Sequence, residues 1–167
     1  MARVLVLALL LLVSACTSRS EQQRAEDYAA LIDAAESGQA AKVEALLTRG
    51  TPVDAVVQGK PVDPGSAWAP YAQRPSPLFV AAANGHLGIV RSLLKHEPWL
   101  DWRCCDSLTP LGTAAANGHV QIVKALLEAG ADPAVSSGGG KTPLQAARDK
   151  GHTEIALLLE KAMDQTR

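Results

Sequence analysis

The sequence predicts an all-α repeat protein, a solenoid of stacked helix–turn–helix units. Shifted by 33 positions, the stretch from Thr109 to Leu127 matches the stretch from Thr142 to Leu159, and shifted back by 33 it matches the stretch from Ser76 to Leu94. A fixed period with a fixed internal pattern is typical of repeat architectures, in which each unit buries its apolar face against its neighbours. Hydrophobic residues make up 47% of the chain but aromatic residues only 4%, so the core must consist of Ala, Leu, Val and Ile. That composition favours thin, closely packed helices.

Each repeat carries the same start and stop signals for two helices. A Ser or Thr followed by Pro begins the first helix, because the hydroxyl can cap it and the N–H that Pro lacks is not needed in the first turn. A Gly then ends that helix in a left-handed conformation. Apolar residues at i, i+1, i+4 and i+5 predict the second helix. The capping residues are Ser76, Thr109 and Thr142, and the glycines are Gly85, Gly118 and Gly151.

These repeats resemble the ankyrin repeat, whose pattern is T-P-L-H-x-A-A-x-x-G-H-x-x-I-V-x-x-L-L-x-x-G-A-D. The copy TPLGTAAANGHVQIVKALL, which begins at Thr109, carries most of this pattern. The resemblance implies a helical stack with β-hairpin fingers between repeats, which generally binds proteins through the finger tips and the first helices. The chain departs from the pattern where Phe79, Gly112 and Gln145 replace the His of T-P-L-H. We therefore expect the hydrogen bonds of that His to be replaced or missing.

The repeat domain is expected to span residues 25–163, followed by a tail at 164–167. Its four repeats are expected at residues 25–54, 74–100, 106–132 and 140–163. The first is degenerate and aligns with the second at an offset of 47, which is the period plus an insertion of 14 within residues 55–73. Arg148 and Glu160 place polar groups where a fifth repeat would stack, so we expect them to form a C-terminal cap.

The insertion is rich in proline. Between Ala55 and Pro77 lie five of the ten prolines of the chain, namely Pro61, Pro64, Pro70, Pro75 and Pro77. Proline fixes φ and removes a backbone donor, which favours extended or turn-like structure over helix. In the ankyrin pattern this position is a finger, so we interpret the insertion as an enlarged first finger.

Residues 1–15 are expected to be a signal peptide. Arg3 precedes an apolar run from Val4 to Val13, which as a helix would extend only about 15 Å, half of a bilayer core. Its end, Val13-Ser14-Ala15-Cys16, resembles the bacterial lipobox, which implies cleavage before Cys16 and acylation of the Cys16 thiol. Residues 16–24 would then be the lipidated cysteine and a short linker. The alternative is an ordinary signal peptide with an incidental cysteine.

The residue after Cys16 bears on localisation. It is Thr17, and not the Asp that enteric lipoproteins use for inner-membrane retention. We therefore expect a lipid anchor in the outer membrane of a bacterial envelope, facing the periplasm. The formal net charge of −1 and the lack of a basic run argue against nucleic-acid binding.

Two patterns that suggest chemistry are better explained by structure. His86, His119 and His152 recur in successive repeats, about 8–10 Å apart, whereas ligands of one metal ion lie about 2 Å from it. The Gly-Lys-Thr at 140–142 lacks the first glycine of a phosphate-binding loop, because Val135 stands there. We expect no metal and no cofactor.

Cys104 and Cys105 leave three interpretations open. Adjacent Cα atoms are about 3.8 Å apart, below the usual disulfide span of about 4.4–6.8 Å, so a bond between them would be strained and reducible. The pair is a passive local feature, a link to another chain, or a redox centre. The last gives an alternative function, a redox-active envelope protein linked to oxidative stress. No His, Asp or Ser constellation accompanies the pair, and the insertion lacks paired acid–base residues beyond Asp63, so we expect no enzyme.

Four of the six aromatic residues lie in or beside the first two fingers: Trp68, Tyr71, Trp99 and Trp102. Exposed Trp and Tyr are typical interface anchors. We hypothesise that Trp68, Tyr71 and Trp102 flank a protein-binding surface with Arg103 at its edge. The alternative is that these rings pack the loops against the helices. The sequence thus predicts a monomeric, non-enzymatic module that docks or regulates a periplasmic or membrane protein.

Overall fold

The computed structural model describes residues 22–54, 75–102, 108–137 and 139–165. These residues contain eight helices and no strand. The helices are α1 over residues 22–36, α2 Ala40–Thr48, α3 Pro77–Ala83, α4 Leu87–Leu94, α5 Pro110–Ala116, α6 Val120–Glu128, α7 Pro143–Asp149 and α8 Thr153–Gln165.

The helices form pairs that stack in chain order. Helices α3, α5 and α7 contact one another in sequence and form one layer, and α2, α4, α6 and α8 form a second layer beside it. Within a pair, α3 contacts α4, α5 contacts α6, and α7 contacts α8. Residues 76, 109 and 142 therefore precede successive stacked helices, as the period of 33 predicts.

The predicted caps of the first helices are confirmed. The three capping hydroxyls accept hydrogen bonds from the backbone N–H groups three residues later, and each helix has Pro in its first turn. The pairs are Ser76 with Phe79 at 3.2 Å, Thr109 with Gly112 at 3.1 Å, and Thr142 with Gln145 at 3.2 Å. Gln145 also accepts from the Thr142 N–H at 2.9 Å, which completes a capping box. Gln145, which stands in place of the His of T-P-L-H, thus contributes a hydrogen bond to the cap of its own helix.

The glycines between paired helices adopt the expected left-handed conformation. Their φ angles are +75° at Gly38, +78° at Gly85, +79° at Gly118 and +76° at Gly151. Small side chains let the first helices approach closely, since Ala81, Ala82, Ala114 and Ala115 are all fully buried. Between the two layers lies one continuous core of Leu, Ile, Val and Ala, to which α1 adds Tyr28.

Helices α1 and α8 include residues on either side of the expected range 25–163. Residues 22–24, which the sequence analysis places in the linker, are helical, and α8 continues to Gln165. The first described turn of α1 is stabilised because Ala25 and Tyr28 are buried and hold it against the core.

The β-hairpin form of the fingers is not confirmed. In the third finger, between Gly130 and Thr142, the described residues form turns, with the Ser137 N–H donating to the Lys141 carbonyl at 2.9 Å. Residues 55–74 and 103–107 lie outside the described part of the chain, so the insertion and the form of the first two fingers stay predictions. Across the described ranges, every helix is too short or too polar to cross a membrane.

Candidate protein-binding surface

Two tryptophans lie together on the second finger, just after α4. The ring centroids of Trp99 and Trp102 are 5.6 Å apart and their planes are inclined at 56°. Trp99 is 46% exposed, and Trp102 is partly buried. In the described chain, the only exposed large hydrophobic residues are Trp99 and Leu157. We call Trp99 and Trp102 the tryptophan pair; an exposed pair of this kind is a typical anchor for a partner protein.

An aspartate of the preceding repeat fixes the backbone beneath the tryptophan pair. Asp54 Oδ2 accepts a hydrogen bond from the Trp99 N–H at 2.8 Å. One repeat later, Asp101 Oδ1 accepts from the Asp132 N–H at 3.2 Å. Asp54 and Asp101 are equivalent at the offset of 47, and Trp99 and Asp132 at the period of 33. We call Asp54 and Asp101 the aspartate ladder, since each ties its finger to the next.

Burial of the aspartate ladder raises the pKa of both carboxyls. For Asp54, desolvation raises the pKa and the hydrogen bond from the Trp99 N–H offsets this only in part. For Asp101, desolvation is again the main cause; the Asp132 N–H lowers the pKa and the Asp132 charge raises it. Asp54 Oδ1 is buried without a hydrogen-bond partner in the described ranges. Folding therefore buries the ionised carboxylates at a cost in desolvation free energy.

The tryptophan pair borders an open hollow on the second finger. The hollow has a volume of about 630 Å³ and is lined by Pro98, Trp99, Leu100, Asp101 and Trp102. Two indole rings and one carboxylate thus share a surface, and none of these lining residues is basic. Such a site offers apolar contact area together with a negative charge.

Of the residues predicted to bind a partner, only Trp102 lies within the described ranges. Trp68, Tyr71 and Arg103 lie outside them, as do Cys16, Cys104 and Cys105, so their roles stay predictions. Trp99 was grouped with the finger aromatics but left out of the predicted binding set, and it is the more exposed member of the pair. This exposure argues against the alternative that the Trp99 ring packs the loop against the helices.

The recurring histidines lie at the turns and join neighbouring repeats. Each Nε2–H donates to the carbonyl at the end of the preceding first helix. The pairs are His86 with Glu36 at 3.0 Å, His119 with Ala83 at 3.1 Å, and His152 with Ala116 at 3.1 Å. We call these three residues the histidine row. No cluster of three or more His, Cys, Asp or Glu suited to a metal ion occurs in the described ranges.

The first and last repeats differ from this pattern in ways that their positions explain. Gln39 stands where the later repeats have the histidine, and its amide donates to the Ser37 hydroxyl at 2.8 Å. In the part of the chain that the structure describes, no earlier repeat precedes α1 to offer such a carbonyl. At the other end, Arg148 and Glu160 form an exposed ion pair at 2.5 Å. The two residues expected to cap the stack therefore neutralise each other.

A comparison with known protein families covers most of the described array. A family model for ankyrin repeats, in three copies, matches residues 31–137 and, in an overlapping second match, residues 78–167. The two matches together extend over most of the chain. A search of curated proteins finds no match.

Proposed function

The chain belongs to the ankyrin-repeat family, whose members generally act as protein-interaction scaffolds without catalysis, and we propose that this protein docks or regulates a partner through its fingers. The observation that carries this proposal is the tryptophan pair, in which Trp99 is 46% exposed on a finger. Hot-spot residues of protein interfaces are enriched in Trp. The partner would bind by shape complementarity, as a rigid scaffold allows.

The aspartate ladder supports the rigidity that this mechanism needs. It fixes the backbone of Trp99 to the preceding finger through a bond of 2.8 Å, so little ordering of the backbone remains to be done on binding. In this proposal Trp68, Tyr71 and Arg103 extend the same surface. The first two fingers project as β-hairpins in this proposal.

We further propose that the protein is anchored by lipid at Cys16 in the bacterial outer membrane, facing the periplasm. The stretch Val13-Ser14-Ala15-Cys16 supports this location because it resembles a lipobox. Helix α1 includes residue 22, only six residues beyond Cys16, a span of about 20 Å when extended. The partner would then be a membrane protein or a periplasmic protein close to the membrane. The module acts as a monomer, which the polar cap at Arg148 and Glu160 favours.

Co-purification from detergent-solubilised envelope tests the binding function. The tagged wild type is compared with the double variant Trp99→Ala, Trp102→Ala and with Leu157→Ala. Leu157 is the matched control, because it is 61% exposed and apolar but lies on α8 and does not line the hollow beside the tryptophan pair. We expect the double variant to lose a specific partner at least about tenfold while Leu157→Ala retains it. Equal recovery of the partner by the double variant and by Leu157→Ala, with unchanged melting temperatures, would contradict the proposal.

The anchor has its own test. Metabolic labelling with an alkyne fatty acid should label the wild type and leave Cys16→Ser unlabelled. Label on both proteins, or on neither, would refute the anchor and leave the binding function untouched. The alternative redox function of Cys104 and Cys105 is tested separately by mass spectrometry of free thiols, in which a reversible oxidation state would favour it.

A further inference from the structure

We propose that the hollow beside the tryptophan pair binds the guanidinium group of an arginine side chain on the partner protein. This inference rests on the proposed function, because it names the chemistry that the partner presents to the same surface. It is carried by the inclined pair of rings and by the aspartate that lines the same hollow.

The rings are arranged to receive a cation. Their planes are inclined at 56°, so the two indoles are not stacked in parallel. Trp99 leaves 46% of its surface open to solvent. The face of Trp is the aromatic surface that attracts cations most strongly, at distances of about 6 Å from the ring centroid.

Asp101 supplies a negative charge to the same hollow. It lies between the two tryptophans in sequence and contributes to the lining. Its Oδ1 is fixed by the Asp132 N–H at 3.2 Å, so the carboxylate has a defined position. Burial and the charge of Asp132 both raise the pKa of Asp101, and a bound cation would relieve this unfavourable environment.

The combination favours arginine over lysine. Guanidinium is planar and weakly hydrated, and it can stack on an aromatic face while its N–H groups pair with a carboxylate. The lysine ammonium is a compact, strongly hydrated charge that cannot stack in this way. A site made of two indoles and one carboxylate therefore discriminates between the two cations.

A peptide titration followed by NMR tests the inference on the full chain in detergent micelles. The probe is a blocked peptide with one arginine flanked by glycines, and the control peptide carries citrulline, which has nearly the same shape without the charge. The three indole N–H signals are assigned by Trp→Phe substitutions. We expect the arginine peptide to shift the Trp99 and Trp102 signals saturably, and the citrulline peptide to bind at least about threefold more weakly.

Two variants sharpen the test. Asp101→Asn keeps an acceptor for the Asp132 N–H but removes the charge, and should weaken arginine binding about threefold. Arg103 follows Trp102 in the chain and carries the same chemical group, so the titration is repeated with Arg103→Gln. Equal binding of the two peptides, or no arginine binding in either the wild type or Arg103→Gln, would overturn the inference.

The outcome separates this inference from the proposed function. If the double tryptophan variant loses its partner but the arginine peptide does not bind, the inference fails and the protein-binding function stands. If the arginine peptide binds and partner recovery is unchanged in the double variant, the proposed function fails and the cation site stands.

Discussion

Two lines of hydrogen bonds join neighbouring repeats, and the two lines differ in chemistry. The histidine row at the turns uses imidazole N–H to carbonyl bonds of 3.0 to 3.1 Å, with each imidazole packed against a left-handed glycine of the preceding repeat. The aspartate ladder at the fingers uses carboxylates whose pKa is raised by burial, one of them with a buried oxygen that lacks a partner in the described ranges. The comparison indicates that the turns are built for stability, whereas the fingers hold the proposed binding surface in place at some cost.

The largest expected effect is a steric one in the histidine row. A Cβ at Gly118 would lie 2.8 Å from Cε1 of His152, whereas a Cβ at Gly151 has open space around it. Both glycines have nearly the same φ, +79° and +76°, so Gly151→Ala reports the backbone strain alone. We expect Gly118→Ala to destabilise the fold by about 3 kcal/mol and Gly151→Ala by about 1 kcal/mol.

Urea unfolding of the two variants measures this difference. The excess cost of Gly118→Ala should come from displacing His152 from the Ala116 carbonyl. If the two substitutions destabilise the protein equally, the histidine row contributes little to stability. The contrast between the two lines of hydrogen bonds then fails.

A smaller effect, of opposite sign, is expected at the finger ends. Glu97 has a φ of +51°, while the equivalent residues Gly50 and Gly130 have φ of +84° and +95°. A side chain in this conformation is strained, so Glu97→Gly should stabilise the protein by about 0.5–1 kcal/mol, after the added entropy of the unfolded chain is deducted.

The matched reverse change is Gly130→Ala, which has no atom within 4 Å of the added Cβ and should destabilise by about 1 kcal/mol through strain alone. Thermal melts of both proteins suffice. A lower melting temperature for Glu97→Gly would mean that the glutamate makes a favourable contact that outweighs its backbone strain.

The aspartate ladder predicts a pH-dependent effect below about 1 kcal/mol. Because the pKa of Asp54 is raised above 3.8 in the folded state, the fold binds this proton more tightly than the unfolded chain does. The contribution of Asp54 to stability is therefore greatest at low pH and is lost as the pH rises through the folded pKa. Asp54→Asn keeps an acceptor for the Trp99 N–H and carries no charge, so its stability relative to wild type should improve across that window.

Urea unfolding at a series of pH values from 3 to 7 checks the sign. Asp33→Asn, which removes a carboxylate that is exposed on α1, is the control. A relative stability of Asp54→Asn that falls as the pH rises would show that the hydrogen bond from Trp99 outweighs burial of the charge.

The two lines also differ in how far the sequence predicts them. The histidine row is visible because the same side chain recurs beside the same glycine at a period of 33. The aspartate ladder is hidden because its donor is a backbone N–H, which any residue can supply: Trp99 in one case and Asp132 in the other. The insertion between the first two repeats further obscures the equivalence of Asp54 and Asp101.

The sequence indicates only part of the proposed binding surface, for a related reason. Aromatic residues outside a helical stripe indicate the second finger, and the predicted binding set includes Trp102 there. Which ring faces water depends on how the finger is held, and that depends on the bond between the Asp54 carboxylate and the Trp99 N–H. A contact between side chain and backbone across the repeats leaves no residue pattern from which the exposure of Trp99 could be inferred.

The smallest effect on stability is expected at the C-terminal end, where both lines stop. Arg148 and Glu160 are 59% and 40% exposed, so their ion pair should contribute less than about 0.5 kcal/mol. The double variant Arg148→Ala, Glu160→Leu restores the residues of the inner repeats and should leave the unfolding free energy nearly unchanged. It removes the polar groups that keep a further repeat from stacking, so self-association should appear in sedimentation velocity at concentrations where the wild type and Arg148→Lys stay monomeric. A monomeric double variant would mean that these two residues do not cap the stack.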